Sequence, residues 1–257
     1  MGVDKINKMV PSLQGKVSDE EWETRVNLAA CYHLVAHYGM SDLVFTHISA
    51  RVPGSDHHFL INPYGLFFDE ITASSLIKVD IDGNILDETP FFINPAGYTI
   101  HSAIHAARED VGCVLHTHTT AGMAVAAQKQ GLLPISQHSM MFYGRLAYHG
   151  YEGIALDLDE RERLVRDMGD SIAMILRNHG LLTVGTTVSE AFRRIFYLEK
   201  SCESQIKALA GDSELILPSR EVCEHAAGQF KISASQSGLE WPGLLRLLDR
   251  KGANYRD

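Results

Sequence analysis

Apolar positions recur along this chain with two spacings, and the switches between them mark the elements. Residues 18–38 carry a helical pattern opened by Ser18, Asp19, Glu20 and Glu21, a capping box in which Ser18 and Glu21 satisfy each other's backbone N–H groups. Gly39 supplies the stop signal. Short apolar runs follow at 44–52, 58–61 and 77–81, separated by turn-formers at 53–55, 62–65 and 82–84. Short strands joined by tight turns predict an antiparallel meander.

From Asn94 the spacing becomes helical again, through Ile100, Ile104 and Ala107 to about Arg108. Residues 111–115 read as a short apolar strand with His116, Thr117 and His118 at its end. An alanine-rich helix over 120–130, an edge strand over 145–149 and a charged amphipathic helix over 159–168, closed by Gly169, come next. Two apolar strands, 171–176 and 181–184, flank Arg177, Asn178, His179 and Gly180. A second capping box, Thr187 to Glu190, opens a long helix to about Ala210. Beyond Gly211 the pattern gives a short helix over 221–227, a polar loop over 233–238 and a small amphipathic unit from Trp241. No internal repeat is visible. The expected organisation is an N-terminal extension (1–17), one α/β domain (18–211) and a C-terminal helical arm (212–257).

Composition narrows the function classes. The 257 residues are 45% hydrophobic and 21% charged, as in ordinary globular proteins. The net charge of −9, with no Lys/Arg run longer than two, leaves no basic face for nucleic acid or an acidic membrane. Cys31, Cys113, Cys202 and Cys223 form no C-x-x-C pair, and buried reduced thiols are expected. With neither an apolar leader core nor a membrane-length apolar run, the expected location is the cytoplasm, without membrane insertion.

The chemistry lies in the histidines. There are 13, and most sit where a surface or packing role suffices. His116 and His118 differ, because residues two apart in a strand point to one face and place both imidazoles in one pocket. Imidazole nitrogens suit zinc and similar ions, and three protein ligands with one open position is the usual catalytic arrangement. His179, in a sharp turn between two apolar strands, is the natural third ligand.

The run His116-Thr117-His118 with Asn178-His179-Gly180 resembles the metal signature of the class II aldolase/adducin family. Thr46 to Arg51, Asn62 to Gly65, Ala107 to Gly112, Gly131 to Pro134 and Glu190 to Phe192 match in order. The likeness covers about Glu20 to Ala210, and Asn94 to His105 with Ile175 to Gly180 are most similar to the adducin-like branch. It implies a three-layer α/β/α sandwich around a mainly antiparallel sheet, a divalent metal, best Zn2+, on His116, His118 and His179, and a homotetramer with sites between subunits.

In the family's sugar-phosphate enzymes a Ser-Ser-Glu-like triplet supplies the acid/base Glu and phosphate-binding hydroxyls. Here that place is held by Pro95, Ala96 and Gly97, and the Gly-Asn-x-Ser loop reads Thr46-His47-Ile48-Ser49. The substitution argues against dihydroxyacetone-phosphate chemistry. Two functions remain. One is a metal-dependent lyase or isomerase-like enzyme acting on a small unphosphorylated hydroxy- or oxo-carbonyl compound, with Tyr98, His101, His138 and Tyr143 as candidate catalytic groups. The other is a non-catalytic, adducin-head-like binding or assembly protein of the cytoskeletal kind. On the first reading, Gly97→Glu is expected to create weak retro-aldol activity.

Overall fold

The strand-like runs assemble into one sheet and the helical runs cover both of its faces. The structure, a computed structural model, describes residues 10–55, 57–153, 159–211, 214–233 and 239–257. Its strands are β1 (His47–Arg51), β2 (Phe59–Ile61), β3 (Ile77–Val79), β4 (Cys113–Thr117), β5 (Leu146–His149), β6 (Ala173–Leu176) and β7 (Gly180–Gly185). They lie in the order β3-β2-β1-β4-β7-β6-β5, antiparallel except for the β5–β6 pair. The expected meander is β1–β2–β3, and β5 is the expected edge strand.

Among the described residues the helices are α1 (Asp19–His37), α2 (Pro95–Ala107), α3 (Thr120–Ala126), α4 (Gln137–Met140), α5 (Glu160–Met168), α6 (Val188–Leu209), α7 (Arg220–Ser233) and α8 (Trp241–Arg250). Strand side chains alternate between faces, so a sheet covered on both sides buries consecutive apolar residues. On one face Ile48, Leu115 and Leu181 pack with Leu34 of α1, Val125 of α3 and Ile195 of α6. On the other, Val114, Met174 and Leu182 pack with Ile100 and Ile104 of α2 and Leu164 of α5. The result is an α/β/α sandwich. No helix among the described residues is long and apolar enough to cross a membrane.

Both capping boxes form only in part. Ser18 and Thr187 accept the backbone N–H groups of Glu21 and Glu190. Glu21 does not reach back, because cationic partners take it, while Glu190 reaches past its N-cap and accepts the Thr186 N–H at 2.8 Å. Glu21 accepts from the fully buried Arg25 and from Lys78, and Glu190 pairs with Arg194. The helix expected over 120–130 stops at Ala126, four residues before Gln130, while the one expected over 221–227 runs from Arg220 to Ser233. The short α4 and a 3-10 turn at Phe68–Glu70 gave no periodic signal, being too short to carry one.

α8 and the residues after it dock on α1 and its neighbours. Trp241 Nε1 donates to Asn27 Oδ1 at 2.7 Å, and the buried Tyr255 lies against His33. The Tyr255 and Asp257 carbonyls accept from the Ala73 and Ser74 N–H groups. Beyond Ser233, the expected loop over 233–238 lies outside the described residues, as do residues 1–9 of the expected extension. The four cysteines are buried and unbridged.

Candidate metal centre

Three segments bring one histidine each to the same end of the sheet. β4 extends to Thr117, so His116 stands inside the strand and His118 one residue past its end. His116 faces His47 across β1 and Leu182 across β7, on the side covered by α2. His179 arrives on the three-residue turn between β6 and β7, which Asn178 enters with φ 55°. Asparagine tolerates that left-handed conformation better than most residues. Gly180 then passes so close to β4 that a Cβ there would stand 2.3 Å from the Thr117 carbonyl oxygen. Glycine is required at this crossing, and the crossing places His179 over His116 and His118.

One ring nitrogen from each of the three histidines lies within 4.8 Å of the other two. The hydrogen bonds of these rings decide what the cluster can hold. His116 Nδ1 lies 2.9 Å from the Leu181 carbonyl oxygen, which can only accept, so Nδ1 carries the proton. His118 Nδ1 lies 2.9 Å from Asp42 Oδ2, which fixes the same tautomer. Both Nε2 atoms are then lone-pair acceptors, and they face each other at 2.9 Å. Two lone pairs at that separation repel unless a cation lies between them.

Protonation is a poor remedy in this setting. Burial, then the neighbouring His179 and His118, hold His116 well below the ordinary imidazole range. Burial and His118 lower His179 to about 4. Neutral imidazole is the form that ligates metal. His118 and His179 are only partly covered, leaving one side of the triad open to a further ligand. The donor set thus fits a divalent cation, with Asp42 and the Leu181 carbonyl orienting two of its imidazoles.

Removing the carboxylate by Asp42→Ala is expected to weaken divalent metal binding about 10–100-fold, the usual effect of losing such an orienting partner. Competition against a chromophoric chelator measures it. An unchanged affinity would mean that Asp42 does not set the His118 ring.

The other sequence candidates sit elsewhere. Tyr98 hydrogen-bonds the Ile81 carbonyl and stacks on Phe59. His138 is exposed on α4 with its ring 4.8 Å from that of Tyr197. Tyr143 lines a surface pocket with Leu132, Pro134 and Tyr148. His101 is fully buried on α2, its Nδ1 2.6 Å from Ser49 Oγ and its ring 4.3 Å from that of His47.

Two site residues escaped sequence reasoning, Asp42 and His47. Asp42 follows the end of α1 and meets its histidine 76 residues away, and no local pattern announces that. His47 carried a signal, the altered loop at Thr46 to Ser49, without an indication of where its ring would go.

Comparison with known proteins places this geometry. The sequence profile of the class II aldolase and adducin N-terminal domain matches residues 26–206. An aldolase II superfamily protein from Pseudomonas syringae, of known structure, is 58% identical, with a TM-score of 0.92 over 96% of this chain and all of that one. The L-fuculose 1-phosphate aldolase of Glaciozyma antarctica is 30% identical over the full length of both chains, with a TM-score of 0.81. The alpha-adducin of Rattus norvegicus is 47% identical over 199 residues, which cover 75% of this chain and 27% of that protein.

Proposed function

The chain belongs to the class II aldolase and adducin family, and we propose that within it this protein is a metal-dependent enzyme acting on a small, unphosphorylated hydroxy- or oxo-carbonyl compound. The observation that carries the reading is the pair of His116 and His118 Nε2 atoms, turned toward each other at 2.9 Å by acceptors on their Nδ1 atoms. His116, His118 and His179 would hold the ion, and zinc suits three imidazoles best. When bound, such an ion supplies Lewis-acid polarisation of a substrate carbonyl.

The residues around the triad shape what can bind there. The first turn of α2 presents Pro95, Ala96 and Gly97, which offer neither a carboxylate nor a hydroxyl. That absence supports an unphosphorylated substrate, in contrast to the phosphate named in the Glaciozyma relative. Of the sequence-derived candidates for proton transfer, His101 is the one that connects to the triad, through the His47 ring. His138, exposed on α4, would serve a neighbouring subunit in the cytoplasmic homotetramer that this reading includes. Tyr98 and Tyr143 are assigned to packing. The lyase or isomerase character rests on the aldolase relatives.

The test is metal content per subunit. The protein as isolated, or after zinc is supplied, is expected to carry about one equivalent, and His116→Ala close to none while remaining folded. A screen of hydroxycarbonyl compounds by exchange of their α-protons then follows. Full occupancy in a His116→Ala/His179→Ala double variant would end the three-histidine assignment.

A second reading, an adducin-head-like binding or assembly role, is favoured by the 47% identity to alpha-adducin. A parent protein that stays metal-free with zinc present would select it.

A further inference from the structure

The end of the sheet opposite the triad gathers positive charge. β5 and β6 run parallel, and the residues that precede them, Arg145 and Ile172, meet there through the Ile172 N–H and the Arg145 carbonyl at 3.1 Å. With Glu190, Arg193 and Arg194 of α6 and Phe230 of α7 they line a small cavity. The triad lies past the other ends of the same strands, where β6 turns into β7.

The hydrogen bonds of the guanidinium groups show which one lacks a counterion. Arg194 donates to Glu190 and to the Val184 carbonyl. Arg193 pairs at 3.2 Å with Glu240, a carboxylate that does not line the cavity. Glu190 does line it, but both of its oxygens are taken. Oε1 accepts from Arg194, and Oε2 accepts from the Thr186 N–H at 2.8 Å and the Thr186 hydroxyl at 3.0 Å.

Arg145 is left over. Its Nη2 donates to the Met141 carbonyl at 2.7 Å, a neutral acceptor. Its Nε is buried with no hydrogen-bond partner among the described residues. A guanidinium only donates and keeps its proton in proteins, so the charge stays. Burial pushes Arg145 below its ordinary range, and Glu190, already paired, offsets only part of that. Arg194 is under the same pressure, from burial and then from Arg145, Arg108 and Arg193, with Glu190 in its favour. Three guanidiniums around the cavity thus meet two carboxylates, Glu190 and Glu240, and one buried positive charge remains uncompensated.

The cavity decides the kind of occupant. Its volume of about 20 Å3 admits one species near the size of a water molecule and no metabolite. A water would accept from Nε and leave the charge as it was. A halide ion, little larger, does both.

We propose that the cavity beside Arg145 is a binding site for a monovalent inorganic anion of chloride size, held by the Arg145 guanidinium with Arg193 and Arg194 around it. The ion ties the junction of α4 and β5 to α6, two segments that otherwise bring like charges together. The site is separate from the triad and does not depend on the metal reading.

The experiment is thermal unfolding of the full chain at constant ionic strength, with sodium gluconate replaced stepwise by sodium chloride. Gluconate keeps the screening equal and is too large for the cavity. The parent midpoint is expected to rise by about 3 °C for each tenfold increase in chloride once the site is mostly filled. Arg145→Gln, which keeps a donor and drops the charge, is expected to show no chloride dependence and to match or exceed the parent in gluconate. Arg145→Lys, which keeps the charge without the planar fork, should retain part of the response. Parent crystals soaked in bromide give a readout that needs no variant, an anomalous peak in the cavity against Arg145.

A parent midpoint indifferent to chloride overturns the proposal and leaves water as the occupant. So does an equal response in parent and Arg145→Gln, the result expected if the ion sat at the triad instead. Bromide-soaked parent crystals without a peak beside Arg145 also overturn it, whether or not the variants fold.

Discussion

Acidification from about pH 7 to about pH 5 is expected to unfold the metal-free protein cooperatively, well before its carboxylates titrate. The fold holds six histidines in the neutral form. Burial lowers His33, His101 and His116, takes His47 and His105 to about 3, and takes His179 to about 4. In the unfolded chain each returns to about 6.5. Below that value the unfolded state binds more protons than the folded one, so stability falls as pH falls. Each histidine contributes a slope of about 1.4 kcal/mol per pH unit, which persists down to its folded value. By about pH 5 several such slopes together come to roughly 10 kcal/mol, comparable to a typical domain stability of about 5–15 kcal/mol.

Above about pH 7 the same groups should leave stability nearly flat, since both states are then deprotonated. Zinc should move the acid midpoint downward, because it competes with protons for two of the six imidazoles, His116 and His179. Circular dichroism against pH, with and without zinc, measures both effects. Native spectra at about pH 4 without metal would mean that these histidines protonate in place, and that the burial argument is wrong.

Gly97→Glu is expected to destabilise the protein by several kcal/mol and to yield no retro-aldol activity. This reverses the expectation drawn from the sequence, where the glycine reads as a missing glutamate awaiting restoration. The Cβ alone would meet the His47 ring at 2.7 Å, and the same ring already packs against His101, one turn further along α2. Overpacking of this kind costs about 1–3 kcal/mol, and an unpaired buried carboxylate adds more. Urea unfolding measures the loss. Adding His47→Ala should recover part of it, because the second change empties the contested space. A Gly97→Glu protein as stable as the parent would show that the imidazole moves aside freely.

Much of the scaffold was legible from local pattern. α1 and α6 follow from the N-cap signals at Ser18 and Thr187 and the glycines after their ends, and the strands from short apolar runs cut by Gly, Pro and Asn. The register that sets His116 inside β4 was not legible. It depends on β1 holding the strand as far as His116 and β7 as far as Thr117, and only pairing partners decide that. The capping glutamates illustrate the same limit. Glu21 and Glu190 read as local caps, yet Arg25 and Lys78 claim the first once the chain is packed, and the second caps Thr186 while pairing with Arg194.

The sequence by itself determined the alternation of strands and helices, the family, and the three histidines that converge at one end of the sheet. The elements rest on spacing and turn chemistry, which act over a few residues, and the family rests on the resemblance of the motifs quoted above. The tertiary structure decided the tautomers of His116 and His118, the pairing with Asp42, and the occupation of the Gly97 space by His47. Those depend on distances between segments 50 to 76 residues apart in the chain, from His47 and Gly97 to Asp42 and His118. Contacts of that reach are fixed only when the sheet closes and α2 is laid across it.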